Sequence, residues 1–69
     1  MTRNEVVSSN IRSVGYDDQH GVLEIEFTSG GVYRYQDVPK DEYDALMNSG
    51  SLGGYFSTYI KNTYRWTKA

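Results

Sequence analysis

Five groups of residues in this sequence could do chemistry, and each has a plainer structural alternative. Ser51-Leu52-Gly53-Gly54 sets a capping hydroxyl before two residues without side chains, where a helical pattern begins. Unpaired amide hydrogens there could receive a phosphate or carboxylate; alternatively, the glycines let the helix start pack closely on the sheet. The segment lacks the lysine that a P-loop requires. Lys61, Arg65 and Lys68 are the only charged residues after Asp44, and they offer an anion contact or cap a helix C-terminus. Tyr33 and Tyr35 share one face of a strand, which is either the floor of a core or a platform on which bases stack. His20, the only histidine, stands near Asp17 and Asp18, as a base with an acidic orienter would, but the surrounding composition is that of a solvated turn. Glu24 and Glu26 share a strand face and could form a carboxylate pair or a weak divalent-ion site; a wet face partly neutralised by Arg34 accounts for them equally.

With no cysteine and no second histidine there is no transition-metal site, and no glycine-rich dinucleotide fingerprint is present. The residues therefore name no catalytic group, metal or cofactor. The expectation is a protein that is not an enzyme.

Those groups must be held by a single small domain of 69 residues. A chain of this size buries only about 60% of the surface its unfolded form exposes, so the core must be compact and rich in aromatics. Seven Tyr, two Phe and one Trp supply the bulk. No run of apolar residues is long enough for a signal peptide or a membrane span, and the absence of cysteine fits a cytoplasmic protein. The net charge of −2 is unevenly spread: residues 1–44 carry four basic and nine acidic groups, and residues 45–69 carry three basic and none acidic. An acidic total argues against indiscriminate nucleic-acid binding, while the basic end leaves room for a local anion contact.

Along the chain, residues 1–8 lack a sustained period and read as a flexible leader. Residues 11–16 read as a first strand, followed by a turn over residues 17–21. Leu23, Ile25 and Phe27 then alternate with Glu24, Glu26 and Thr28, the pattern of a strand with one dry and one wet face. Ser29-Gly30-Gly31 turns the chain into a third strand over residues 32–36. A three- or five-residue loop there puts Tyr33 and Tyr35 beside Leu23, Ile25 and Phe27 and buries both tyrosines; the glycines suit the three-residue form, which sets Glu26 opposite Arg34. Pro39 suits a helix start, and Tyr43, Leu46 and Met47 give that first helix its apolar stripe before Asn48-Ser49-Gly50 stops it. A second helix is expected from Ser51, with Leu52, Tyr55, Phe56, Tyr59, Ile60 and Thr63 at helical spacing and Tyr64 and Trp66 near its end.

The ordered set Ser8-Ser9-Asn10-Ile11, Gly15-Tyr16-Asp17, Gly31-Val32-Tyr33-Arg34-Tyr35, Val38-Pro39, Ser51-Leu52-Gly53-Gly54-Tyr55-Phe56 and Ile60-Lys61-Asn62-Thr63-Tyr64 resembles the KTSC family. That family is a short domain found at the C-terminus of some lysyl-tRNA synthetases and as free-standing bacterial and phage proteins without assigned activity. The resemblance covers nearly the whole chain and implies RNA as the first partner to consider, with Tyr33 and Tyr35 at the matching Tyr-x-Tyr positions.

Together these readings predict an α+β domain in residues 9–66, followed by a tail over residues 67–69. The predicted architecture is a three-stranded antiparallel β-meander with two C-terminal helices packed on one face. The expected function is a small binding module for RNA, or alternatively a protein–protein interaction module. The residues assigned to a nucleic-acid or anion contact are Lys61, Arg65, Lys68, Ser51, Gly53 and Gly54, with Tyr33 and Tyr35 as structural family positions.

Overall fold

A computed structural model describes all 69 residues. The chain forms strands β1 (Arg3–Glu5), β2 (Ile11–Asp17), β3 (Val22–Phe27) and β4 (Val32–Tyr35), helix α1 (Lys40–Met47), helix α2 (Leu52–Tyr55) and strand β5 (Trp66–Lys68). A π-helical segment, Phe56–Ile60, continues α2. The strands form one antiparallel sheet in the order β1-β2-β3-β4-β5. The α+β class and the two helical segments are as expected, but the sheet has five strands rather than three. The two additional strands are Arg3-Asn4-Glu5 and Trp66-Thr67-Lys68, each three residues long and without apolar alternation. Each is stabilised by pairing with a neighbour already in place, so its own sequence carries no period.

The alternation of β3 is realised: Leu23 and Ile25 are fully buried against the helices. On β2 the register shifts between Ile11 and Ser13, a bulge that lets Ile11 and Val14 both reach the core although they are three residues apart. Between β3 and β4 the loop is Thr28-Ser29-Gly30, closed by Gly30 N donating to Phe27 O and Phe27 N donating to Gly31 O, each at 2.9 Å. Gly30 has φ 106°, a conformation that side chains disfavour. The loop has the expected three residues but begins one position earlier, so Arg34 faces Glu24 and not Glu26. The face of the tyrosines is unchanged: Tyr35 pairs with Leu23 and Tyr33 with Ile25.

Helix α1 starts after Pro39, with Asp41 and Glu42 in its first turn complementing the helix dipole. Its Leu46 is completely buried, and Tyr43 stacks on Tyr16 at a centroid distance of 4.7 Å. The Tyr16 hydroxyl donates to Val38 O at 2.6 Å, fixing the turn that leads into α1. In α2, Ser51 Oγ accepts from Gly54 N at 3.1 Å, the expected cap. The helix widens as Lys61 N donates to Phe56 O, five residues back, and it ends at Ile60 instead of running on to Tyr64 and Trp66. Tertiary bonds overrule the periodicity there: Gln36 N donates to Arg65 O and Ala69 N to Val32 O, both at 2.8 Å, drawing the last residues onto β4. Sheet and helices close around Ile11, Val14, Leu23, Ile25, Tyr35, Val38, Leu46, Phe56 and Ile60. Each such aliphatic side chain contributes about 1.5–3 kcal/mol by leaving water.

The opposite sheet face is not the open acidic surface that alternation suggests. Glu24 is only 5% exposed, because β1 carries Arg3 across it. Arg34 Nε lies 3.0 Å and Arg3 Nη1 3.6 Å from its carboxylate oxygens. Glu26 accepts from Ser13 Oγ at 2.8 Å. Gly15 makes this cover fit: a Cβ there would stand 2.9 Å from both Arg3 Cγ and Thr2 O. No helix is long and apolar enough to cross a membrane.

Candidate functional site

Two clefts meet at the start of α2. The first, of about 560 Å³, lies between the β4–β5 end of the sheet and the helical segment. Its aromatic wall is Phe27, Tyr33, Tyr35, Phe56 and Trp66; its polar rim is Asn10, Ser29, Ser57, Lys61 and Asn62. The rings form one edge-to-face series: Trp66 against Tyr33 at 5.1 Å, Tyr33 against Phe27 at 5.6 Å, Phe27 against Phe56 at 5.4 Å, and Phe56 against Tyr35 at 5.4 Å. Such pairs gain about 0.5–1.5 kcal/mol each beyond burial, so the wall is preorganised. The inner end, Tyr35 and Phe56, is core; Tyr33 is half-buried and Trp66 is 51% exposed. Tyr33 is thus less buried than its strand pattern predicts, because only the three-residue β5 covers it at the sheet edge. Burial raises the Tyr35 hydroxyl above the ordinary tyrosine range.

The second cleft, of about 470 Å³, is lined by Ser8, Ser9, Asn10, Ser49, Ser51 and Ser57, together with Val7, Met47, Leu52 and the glycines 50, 53 and 54. Asn10, Gly53 and Ser57 line both clefts, so the two adjoin. Gly53 sits against Asn10, whose Nδ2 would be 3.4 Å from a Cβ at that position. A side chain there would make ordinary contact with Asn10 and Ser8, so the residue 8–10 segment packs against the helix start without requiring a glycine. This cleft contains Ser51, Gly53 and Gly54, but none of the three C-terminal cations lines it.

Those cations lie elsewhere. Lys61 lines the aromatic cleft just past the end of the π-helical segment, and Lys68 pairs with Tyr33 across β4–β5 and shares its sheet face. Arg65 precedes β5. None of the three is in an ion pair, whereas Arg3 and Arg34 are engaged with Glu24, and Lys40 with Asp44. Of the two tyrosine positions, Tyr33 takes part in the exposed end of the aromatic wall and Tyr35 anchors it.

The other candidate groups stay apart from both clefts. His20 Nδ1 is 2.8 Å from Asp17 Oδ2 in an exposed turn, and this bond holds the Asp17 carboxyl below the usual range. No group of three or more His, Asp or Glu is arranged to hold a metal ion. Glu42 on α1 accepts hydrogen bonds from the hydroxyls of Tyr55 and, at 3.0 Å, Tyr64, tying α1 to the second helical segment and to the turn after it. The Tyr55 hydroxyl is pushed up to about 12, first by that bond, and burial raises Tyr64.

The sequence model of the KTSC domain family matches residues 7–64. The chain belongs to the KTSC domain family. The crystal structure of a KTSC domain protein from Yersinia pestis superimposes with a TM-score of 0.96 at 37% identity, covering 99% of this chain and 96% of that one. An uncharacterised protein of Stutzerimonas stutzeri is 44% identical over 61 residues, spanning 88% of this chain and 86% of its own length. A lysine–tRNA ligase of Nostoc punctiforme is 36% identical over 58 residues, which are 84% of this chain but 10% of the ligase. The motifs that carry the likeness converge in space: Ser8-Ser9-Asn10 and Ser51-Leu52-Gly53-Gly54 line one cleft, and Tyr33, Tyr35, Phe56, Lys61 and Asn62 line the other. The sequence reading assigned no contact to Ser8, Asn10, Ser57 or Asn62, and placed Phe27 only on the dry face of its strand. The presence of Ser8, Asn10 and Asn62 in the family motif was the available signal.

Proposed function

We propose that this KTSC domain is a non-enzymatic module that binds single-stranded RNA in the aromatic cleft. One observation carries the reading: a preorganised aromatic wall with a half-exposed tryptophan opens beside Lys61, in the part of the chain whose cations have no intramolecular partner. Unpaired bases stack on such rings without sequence preference, and each stacked base contributes about 1–3 kcal/mol. Lysine and arginine beside the rings neutralise the backbone phosphates. The lysine–tRNA ligase relative adds support, since its name makes tRNA its substrate. A non-enzymatic role fits a cleft whose only ionisable groups are Lys61 and two tyrosines.

Trp66 is the only tryptophan, so its fluorescence reports on the cleft alone. Titration with short single-stranded oligoribonucleotides should quench it saturably. Three phosphate contacts predict a slope of about −2 for log affinity against log salt, at about −0.7 per contact on a single strand. A Trp66 signal unmoved by RNA at low salt overturns the proposal. The rival reading, a protein-interaction module, is favoured by β5 being an exposed edge strand. A salt-insensitive dimer in sedimentation, with no RNA response, is its signature.

A further inference from the structure

We infer that the serine-lined cleft receives the ribose of a strand bound in the aromatic cleft, and that this makes the domain prefer RNA to DNA. The inference rests on the single-strand reading above and adds the substrate feature that the second cleft recognises. Three observations point to a sugar. The cleft adjoins the aromatic cleft along Asn10, Gly53 and Ser57, so a strand with a base on the wall has the serine-lined cleft as its neighbour. Its volume of about 470 Å³ exceeds what a pentose needs, and no charged side chain lines it. A phosphate there would find no cation, whereas a neutral hydroxylic group loses little on entering.

The third observation is the hydrogen-bonding capacity that bonds within the chain leave over on the water-exposed walls of the cleft. Ser8 Oγ accepts from Asn10 N at 3.4 Å and keeps its own proton to donate. Ser9 Oγ donates to Asn10 Oδ1 at 2.7 Å and Ser49 Oγ to Leu46 O at 2.7 Å, leaving lone pairs free on both hydroxyls. The Ser57 hydroxyl and Asn10 Nδ2 have no partner within the chain. The cleft thus offers donors and acceptors together, the set that a 2′-hydroxyl, itself both donor and acceptor, can use and a deoxyribose cannot. The amide hydrogens at the start of α2 are not needed, and that of Gly54 is already given to Ser51 Oγ.

The test compares single-stranded RNA, DNA of the same sequence and 2′-O-methyl RNA, read by Trp66 quenching at one salt concentration. RNA should bind about tenfold more tightly than DNA, the size of one or two net hydrogen bonds. The 2′-O-methyl strand, which has lost the donor, should fall to the DNA level or below. Ser8→Ala combined with Ser57→Ala should bring the RNA-to-DNA ratio toward one. Equal binding of RNA and DNA by the unaltered protein overturns this inference while leaving the single-strand reading intact, as does a ratio that survives the double substitution. Failure of every strand to bind overturns the single-strand reading and this inference with it.

Discussion

Replacing Arg34 with methionine should destabilise the domain more than neutralising the Glu24 charge it pairs with, although both changes break the same 3.0 Å bond. The asymmetry follows from where each charge sits. The Glu24 side chain is 7% exposed, while Arg34 and Arg3 are 51% and 31% exposed. In Glu24→Gln the two half-exposed guanidinium groups turn to water, and the side chain left at position 24 carries no charge. The loss is then that of one half-exposed ion pair, about 1 kcal/mol. In Arg34→Met the carboxylate stays buried with only the longer Arg3 contact, so desolvation adds to the lost bond and the cost rises to about 2–3 kcal/mol. The double variant should cost no more than Glu24→Gln, because no buried charge is left behind.

Urea unfolding followed by Trp66 fluorescence and by far-ultraviolet dichroism measures all three variants, and a difference of about 1.5 kcal/mol moves the melting temperature of so small a domain by roughly 6–12 °C. If Arg34→Met is no more destabilised than Glu24→Gln, or if the two single changes simply add, the carboxylate is not buried and the account of this sheet face fails.

Tyr35→Ala, which empties a buried site, should cost about 3–5 kcal/mol and Tyr33→Ala, at the half-exposed end of the wall, about 2 kcal/mol; equal losses in denaturant melts would contradict the gradient of burial. Gly15→Val should push Arg3 and the Thr2 carbonyl off the sheet, and exchange of the amides of Arg3–Glu5 should rise as β1 detaches; unchanged protection there would show that the close approach is not needed. Changing Lys61, Arg65 and Lys68 together to Gln should flatten the salt dependence of RNA binding without lowering thermal stability, since none is in an ion pair, whereas an unaltered slope would place the phosphates elsewhere. At alkaline pH the native state holds the Tyr55 proton up to about 12 while the unfolded chain releases it near 10, so stability should be complete below pH 10 and decline between those values; Tyr55→Phe should remove that part of the decline in pH-dependent melts.

The middle of the fold was legible because its elements carry their own period. β3 alternates, and α1 has an apolar stripe between a proline start and an Asn-Ser-Gly stop. The odd length of the β3–β4 loop was readable from its glycines, but its position was not: a three-residue loop starting at Thr28 or at Ser29 keeps Tyr33 and Tyr35 on the same face while changing the partner of Arg34. The edge strands were not legible at all. Arg3-Asn4-Glu5 and Trp66-Thr67-Lys68 are too short to show a pattern, and Trp66 fits the extrapolated helical stripe as well as it fits a strand. That second miss also concealed the aromatic cleft, since β5 is what brings Trp66 against Tyr33. The polar cleft depends on contact between residues 8–10 and Gly53, a long-range approach that only the shared family motif hinted at.

Net charge is a poor guide to this domain because its charges are unevenly placed along the chain and over the surface. Glu24 is covered by two arginines and Asp44 is paired with Lys40, whereas Glu26, bonded to Ser13, and Glu42, holding two tyrosine hydroxyls, keep their charges away from the aromatic cleft, which no carboxylate lines. Lys61, Arg65 and Lys68 have no such partners, and Lys61 and Lys68 lie on the side of the sheet that carries Tyr33 and Trp66. A phosphate approaching that edge meets two cations without ion-pair partners, and carboxylates farther off than a Debye length of about 8 Å act on it only weakly. An acidic chain can therefore present a basic, aromatic edge, and the objection to RNA binding that rests on a net charge of −2 loses its force.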